Sequence, residues 1–387
     1  MMAKRGPRIW LAVFTGNSGL THYSFCLARA LAAAGAEVTL VTNANYELDA
    51  FRADFPVVKL FRRSRMYPVD ILRFWRRYRD DRPDTVHYQA SLKFPALELI
   101  LLKLQRRRGT RLVYTAHDWL PHRRRSYHSF LFRLYYRQFD RIIVHSQRGA
   151  DFLTGELGVA RDRISVIPHG EYGFFDIDPG LDRERAREAL GLDPDVVWYL
   201  FFGHIDDYKG LDIALRALGR LRRQEDGGPA VGLVVAGNPG SQGFDRYASL
   251  IEAEGLAARV SLHLGHVPVV DVHKYFKAAD ALLLPYRESS TSGLAHVAMG
   301  FGLPVIASDI GGLPAMVEEA GAGIIIEPGD EAGLAAAMGR LAADEALRRR
   351  LGDAWNSVAG KYSWDSIAAQ TLETYGSLAP GKQGAME

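Results

Sequence analysis

The chain has 387 residues, 48% of them apolar and 24% charged, with a formal net charge of +3. That length predicts two domains, and that composition predicts a globular chain rather than a disordered or fibrous one. A single cysteine, Cys26, excludes an intrachain disulfide, and no apolar run reaches the roughly 18–20 residues of a membrane-spanning helix.

The opening stretch MMAKRGPRIWLAVF has basic residues, a short apolar run and no small-residue cleavage site, so it reads as a first strand and not as a signal peptide. In the first half, strand patterns fall at 9–14, 38–42, 85–88, 112–115, 141–145 and 164–167, with helical patterns at 21–34, 94–106 and 126–139. In the second half, strands fall at 196–202, 232–236, 260–264, 281–284, 305–307 and 323–326, with helices at 211–222, 244–254, 270–278 and 293–301. Near-continuous apolar strands alternating with helices predict parallel sheets covered on both faces. Two such series predict an α/β chain of two doubly wound, Rossmann-like domains. The boundaries expected are 1–170, a Gly-, Pro- and Asp-rich linker at 171–195, 196–362, and a C-terminal segment at 363–387. That last segment reads as an amphipathic helix at 363–378, expected to pack back on the first domain, followed by a disordered tail.

Charge is unevenly placed. Residues 1–168 hold 29 Lys+Arg and 14 Asp+Glu, a net of +15, and the remainder has a net of −12. The basic residues cluster in 62–82, 101–109 and 122–141, and in the first of these they interleave with Tyr67, Phe74, Trp75 and Tyr78. Such a face predicts an anionic partner, whether a phospholipid surface, an anionic acceptor or a nucleic acid. No nucleic-acid motif accompanies it, and a solvated basic face remains the alternative.

In a doubly wound sheet, ligands bind where strands end and loops lead into helices. Four stretches have that context. FFGHIDDYKG (201–210) places Gly203 at a strand end and Lys209 just before a helix, where free N–H groups already favour an anion. On spacing alone, this is either a phosphate site or a turn glycine with a solvated lysine. TGNSGLTHYS (15–24) offers Gly16 and Gly19 before a helix, but it lacks the dinucleotide fingerprint and also reads as a plain turn. His22 there reads as a surface or cap residue. TAHDW (115–119) places His117 and Asp118 after a strand, with a buried structural histidine as the alternative. PYRESSTSGL (285–294) opens a helix with Ser290, Thr291, Ser292, Gly293 and Leu294, either as an anion site or as an ordinary cap.

Taken together and in this order, these stretches resemble the retaining glycosyltransferase family 4 (glycosyl transferases group 1), over most of the chain. The resemblance implies a GT-B fold with the two domains facing a cleft. It implies sugar transfer from a nucleotide-sugar donor to an acceptor, with retention of configuration. By resemblance, the donor is held by Gly16, Gly19, Gly203, His204, Lys209, Val267, Ser290, Thr291, Ser292, Gly293 and Leu294. Lys209 meets the diphosphate and Val267 lies near the nucleobase. His117, Asp118, Lys209 and Glu288 are the catalytic candidates, with His117 at the reacting centre. Positive residues and helix N-termini do the work of a metal, so neither a metal nor another cofactor is expected. The acceptor implied is a lipid-linked saccharide or polysaccharide precursor. The enzyme is expected in the cytoplasm, peripheral at the inner membrane face, with no nucleic acid as partner. Alternatives of the same fold are a sugar-nucleotide epimerase and an inactive scaffold subunit.

The chain departs from the family pattern at four places. Glu288 lies five residues before Gly293 where three are expected, and its eighth successor is His296 instead of the glutamate that holds the ribose. His204, Asp206 and Asp207 stand where an arginine is common, and Pro314-Ala315 replaces Pro-Glu. The Asp-Ile-Asp at 176–178 and the two histidines of HLGH (263–266) read as linker and strand, not as metal sites.

Overall fold

The computed structural model describes residues 6–62, 64–89, 94–117, 128–223, 228–240, 243–288 and 292–378. The chain divides into one unit of Met1–Gly170 with Lys361–Glu387 and a second unit of Glu171–Gly360.

The first unit is built on a seven-stranded sheet of β1 (Arg8–Ala12), β2 (Glu37–Asn43), β3 (Val57–Phe61), β4 (Thr85–Tyr88), β5 (Arg111–Thr115), β6 (Arg141–Val144) and β7 (Ile164–Val166). Their order is β3-β2-β1-β4-β5-β6-β7, and every pair is parallel. Strands such as β1 and β5 are buried on both faces because helices cover both sides. One side packs aromatic residues: Trp10 stands edge-on to Phe74 at 5.3 Å, and Tyr88 and Tyr114 each meet Phe139.

The second unit has a six-stranded parallel sheet of β8 (Val197–Phe202), β9 (Val231–Gly237), β10 (Val260–Leu264), β11 (Ala281–Leu284), β12 (Val305–Ser308) and β13 (Gly323–Ile326), in the order β10-β9-β8-β11-β12-β13. Its core joins β8, β9 and β11 to the apolar faces of the helices Leu211–Arg223 and Glu331–Ala343. Both units are therefore doubly wound, as expected, and the fold is GT-B.

Several elements were not foreseen. β3 joins the edge of the first sheet beside β2. The helix Tyr67–Asp81 lies within the basic stretch 62–82, and of the aromatic residues read as flanking its arginines, Tyr67, Phe74 and Tyr78 are buried in the core. Those rings sit on one helix face and the arginines on the other. The exposed apolar residues among the arginines are Met66, Val69 and Leu72. The segment 171–195 contains the helix Arg183–Leu190, capped by Asp182 and ended by Gly191 in the left-handed conformation. It is tied to the second sheet by Arg187, whose guanidinium meets Asp280 at 2.6 Å, while Asp280 also accepts the N–H of Trp198.

The helix Trp364–Gly376 belongs to the first unit. Its Trp364 ring lies 5.2 Å from that of Tyr23, and a Cβ at Gly170 would fall onto the Trp364 ring. Glycine is thus required at 170 by close approach. The predicted tail at 379–387 lies outside the described residues.

Candidate functional site

In the second sheet the chain order reverses between neighbouring strands β8 and β11. Loops leaving two such strands run in opposite directions, which opens a crevice at their carboxyl ends. Most of the predicted donor residues of this unit lie there. Gly203 follows β8 with φ +96°, a conformation that favours glycine. A Cβ on Gly203 would stand 3.2 Å from Lys209 Nζ and 3.7 Å from Leu294 Cδ1. The structure therefore gathers Gly203, Lys209 and Leu294, and the glycine makes room for the lysine.

Lys209 ends the short turn Asp207–Lys209. Gly210 follows at φ +72°, packed so tightly that a Cβ would collide with the carbonyl of Pro285. Arg287 holds the turn from the β11 side. Its N–H donates to the carbonyl of Tyr208 at 2.6 Å, and its guanidinium donates to the carbonyl of Asp207 at 2.8 Å. Two further bonds of 2.9 and 2.6 Å join the same guanidinium to Asp212. Among the described residues, no carboxylate comes within ion-pair distance of Lys209 Nζ. Burial lowers its ammonium to about 8, with Asp206 pulling the other way. Its cationic head lies 6.0 Å from the ring of Tyr286, whose hydroxyl is 3.3 Å from Ser292 Oγ. Ser292 is the buried N-cap of the helix Gly293–Gly300, and Gly293 is exposed at its first turn.

No contact with Lys209 is seen for the other predicted residues of this unit that are described. His204 and Glu288 have exposed side chains, and Val267 is half-buried. His296 is buried inside the helix Gly293–Gly300, where its carbonyl accepts the N–H of Tyr172 at 3.0 Å. Ser290 and Thr291, like Asp118 in the first unit, lie outside the described residues. Asp176 of the Asp-Ile-Asp stretch pairs with Lys277 at 2.8 Å, and His263 faces Ser261 at 3.0 Å and the ring of Tyr275. No group suited to holding a metal occurs among the described residues.

In the first sheet the reversal falls between β1 and β4. The loop after β1 is held by its own hydroxyls, with Thr15 Oγ1 2.7 Å from Ser18 Oγ and the Thr21 hydroxyl donating to the carbonyl of Thr15 at 3.0 Å. At Gly16 a Cβ would lie 2.7 Å from the backbone of Asn45 and Tyr46, so close packing alone requires this glycine. At Gly19 a Cβ would meet nothing within 4 Å. His22 Nε2 lies 2.7 Å from Glu47 Oε1 and is a paired residue rather than a bare surface one.

His117 sits at the end of β5 in a network that spacing did not announce. Its Nε2 is 2.9 Å from Gln89 Oε1, and its Nδ1 is 3.1 Å from Nε2 of His145, at the end of β6. His145 Nδ1 in turn is 3.1 Å from the carbonyl of Ile167. Gln89 also approaches His87, which contacts Thr115 and the hydroxyl of Tyr375, both at 2.7 Å. Tyr23 covers the group, with its ring 4.7 Å from His117, 5.3 Å from His145 and 4.9 Å from His169. Burial lowers His87 to about 3 and His145 to about 4. It also holds His117 well below the usual imidazole range, with the two neighbouring histidines adding to the effect. These rings are neutral at pH 7.

Two family models match the chain: "Glycosyltransferase Family 4" over residues 17–170 and "Glycosyl transferases group 1" over residues 182–356. The chain belongs to glycosyltransferase family 4. This family 4 chain is 34% identical over 239 residues to a D-inositol 3-phosphate glycosyltransferase of Nocardia farcinica, a match covering 61% of the chain and 52% of the relative. It is 33% identical over 251 residues to the protein of the same name from Segniliparus rotundus, covering 62% and 54%. These matches thus span about half the length of the curated relatives. Among solved structures, sucrose-phosphate synthase from Thermosynechococcus elongatus superposes with a TM-score of 0.74 at 22% identity, covering 96% of this chain and 98% of that one. Anabaena HepE in complex with UDP-glucose gives 0.76 at 20% identity, covering 96% and 99%. At such identities the likeness shows the fold.

The residues that motif reading missed in this family 4 chain are Gln89, His145 and Arg287. His145 closed the predicted strand 141–145, the same strand-end placement that singled out His117. Arg287 gave no signal, because its partners Asp207 and Asp212 are 80 and 75 residues away.

Proposed function

We propose that this chain transfers a sugar from a nucleoside-diphosphate donor to an acceptor hydroxyl, with retention of configuration. The observation that supports this most strongly is Lys209. It is a sheltered ammonium without a carboxylate partner among the described residues, held on a clamped turn beside Gly203. A half-buried cation without a counter-ion is poorly solvated until an anion arrives, and the crevice position suits a diphosphate. In the transfer, the bond from the sugar C1 to the diphosphate oxygen breaks and C1 bonds to the acceptor oxygen. The acceptor proton leaves on the departing phosphate, so no protein base is required. Negative charge grows on the diphosphate along this path, and Lys209 is placed to stabilise it without a metal. Leu294 lies near Lys209 across Gly203, and the helix start it belongs to, with Ser292 and Gly293 and by resemblance Ser290 and Thr291, binds the phosphates or sugar. The first unit takes the acceptor, with His117 at the reacting centre.

The relatives extend the reading. HepE was crystallised with UDP-glucose, which favours a uridine donor here. The curated relatives are named for inositol 3-phosphate, an anionic acceptor, and the basic first half of this chain suits an acceptor of that charge or a lipid-linked one. No helix among the described residues is long and apolar enough to cross a membrane. The face of Tyr67–Asp81 that exposes Met66, Val69 and Leu72 among arginines suits peripheral attachment to an anionic leaflet.

The test is a thermal-shift panel of UDP, GDP, ADP and TDP on the wild type and Lys209→Ala. One nucleotide should stabilise the wild type, by about 2.7 kcal/mol at a hundredfold excess over its dissociation constant. Lys209→Ala should bind it roughly ten- to a hundredfold more weakly. Equal binding by both proteins would place the donor elsewhere. Incubation with the sugar nucleotide then separates transfer, which releases free nucleoside diphosphate, from epimerisation, which does not.

A further inference from the structure

We infer that His145 is a positioning residue that fixes the hydrogen of His117 on Nδ1 and leaves Nε2 of His117 as a hydrogen-bond acceptor. This deepens the reading of His117 as the residue at the reacting centre and rests on it.

The inference follows from counting hydrogens. The carbonyl of Ile167 only accepts, so His145 Nδ1, 3.1 Å away, carries a hydrogen. A neutral His145 then presents a lone pair at Nε2, which faces His117 Nδ1 at 3.1 Å. Two facing lone pairs repel, so His117 Nδ1 must donate. A neutral His117 is left with a lone pair at Nε2, toward the side-chain amide of Gln89. In the structure Gln89 Oε1 faces His117 Nε2 and Gln89 Nε2 faces His87 Nε2 at 3.2 Å; the chain closes when the amide is turned about, its NH2 to His117 and its carbonyl to His87. His87 then shares its Nε2 hydrogen with Thr115 and accepts at Nδ1 from the hydroxyl of Tyr375. Hydrogens thus point one way, from Tyr375 to the carbonyl of Ile167.

With Oε1 left toward His117, His117 Nε2 must donate, and the His117–His145 pair then needs a third hydrogen, making one ring an imidazolium. The residues facing the pair argue against that. They are Tyr23, His87 and His169, with no carboxylate hydrogen-bonded to either ring among the described residues. A cation there would have no compensating carboxylate among the described residues.

The chemical consequence is a polarity. Any ligand hydroxyl that displaces Gln89 meets an acceptor at His117 Nε2 and donates to it. The ring can orient a sugar or acceptor hydroxyl, but it does not supply a proton from Nε2.

The experiment is nitrogen-15 NMR of histidine-labelled full-length protein at pH 7. The chain has 12 histidines, and the His117 signals are assigned by their loss in His117→Gln. The wild type should show His117 protonated at Nδ1 with a pyridine-type Nε2. His145→Leu removes the acceptor and should lose that tautomer. His145→Gln keeps an acceptor oxygen and should restore it. Transfer by His145→Leu should fall in kcat by about ten- to a hundredfold with donor KM unmoved, and recover in His145→Gln. An Nε2-protonated His117 in the wild type, or an Nδ1 tautomer that survives in His145→Leu, would overturn the inference. A tautomer set by His145 together with unaltered transfer would uphold the relay and refute His117 at the reacting centre.

Discussion

Lys209 shows how one residue's surroundings become a measurable property. The ammonium is held near 8 by burial, against an ordinary value of 10.5. Between those two values the unfolded chain binds more protons than the folded one, so this group makes the folded protein more stable as pH rises through that window. Below pH 8 the folded protein carries the charge at a cost. A bound diphosphate reverses the shift by giving the ammonium a partner, so binding near pH 8.5 must draw a proton from the buffer. Titration calorimetry with UDP in two buffers of different ionisation heat reads that proton directly. The expected uptake at pH 8.5 is roughly 0.7 proton for the wild type and none for Lys209→Met. Lys209→Met should also fold about as stably as the wild type, because it removes a half-buried charge that has no ion-pair partner among the described residues. Equal uptake by both proteins would mean that another group, not Lys209, faces the phosphates.

At the scale of elements, what decides legibility is whether a feature is local. The two doubly wound series were readable because their strands are rich in apolar and β-branched residues between helical patterns, and β4, β10, β11 and β13 fall where those short runs do. β3 escaped because Lys59 interrupts its short apolar run Val57–Phe61. The helix Tyr67–Asp81 escaped because its density of arginine hides a sound amphipathic pattern, with Asp70, Ile71, Phe74 and Tyr78 on the buried side. Gly203 and Lys209 were legible from a strand–glycine–lysine–helix order. The hydrogen-bond chain through Gln89, His117 and His145 was not, since register alone brings the ends of β4, β5 and β6 together. The exposed side of Tyr67–Asp81 is where this matters for function. At 100° per residue, Met66, Val69, Leu72, Arg65, Arg73 and Arg76 share one face, and Leu72 is 59% exposed. Replacing Val69 and Leu72 by Asp removes apolar area and adds two negative charges. Co-sedimentation with vesicles rich in anionic lipid should weaken at least about tenfold. Thermal stability should fall only modestly, because about half of each side chain already faces solvent. Unchanged co-sedimentation, or wild-type protein that ignores anionic vesicles, would remove this helix from any membrane role.

For the whole molecule, the first unit is completed by the chain's last helix, and acid should reveal how. Tyr375 meets His87 through its hydroxyl, Arg111 donates to the carbonyl of Tyr375 at 3.0 Å, and Trp364 packs on Tyr23. The imidazole that ties the sheet to this helix is therefore one that burial forces to stay neutral, with a folded value near 3. His145 behaves alike, near 4, and His117 also lies well below the ordinary 6.5. For a base with a lowered value, the unfolded chain takes up the proton first. Stability is thus complete above about pH 6.5 and falls as pH drops toward 4, where the slope levels off. Each such ring contributes a slope of about 1.4 kcal/mol per pH unit inside that window. Denaturant unfolding at pH 5 and 6 should accordingly show a steep loss of stability in the wild type. His87→Gln keeps polar groups for Thr115 and Tyr375 but cannot titrate, so its slope should be shallower by about one proton. Its stability at pH 7 is a separate matter, set by how well the amide fits. An unchanged slope in His87→Gln would mean that His87 is protonated in the folded protein. The one-way hydrogen-bond chain from Tyr375 to Ile167 would then be broken at its first link.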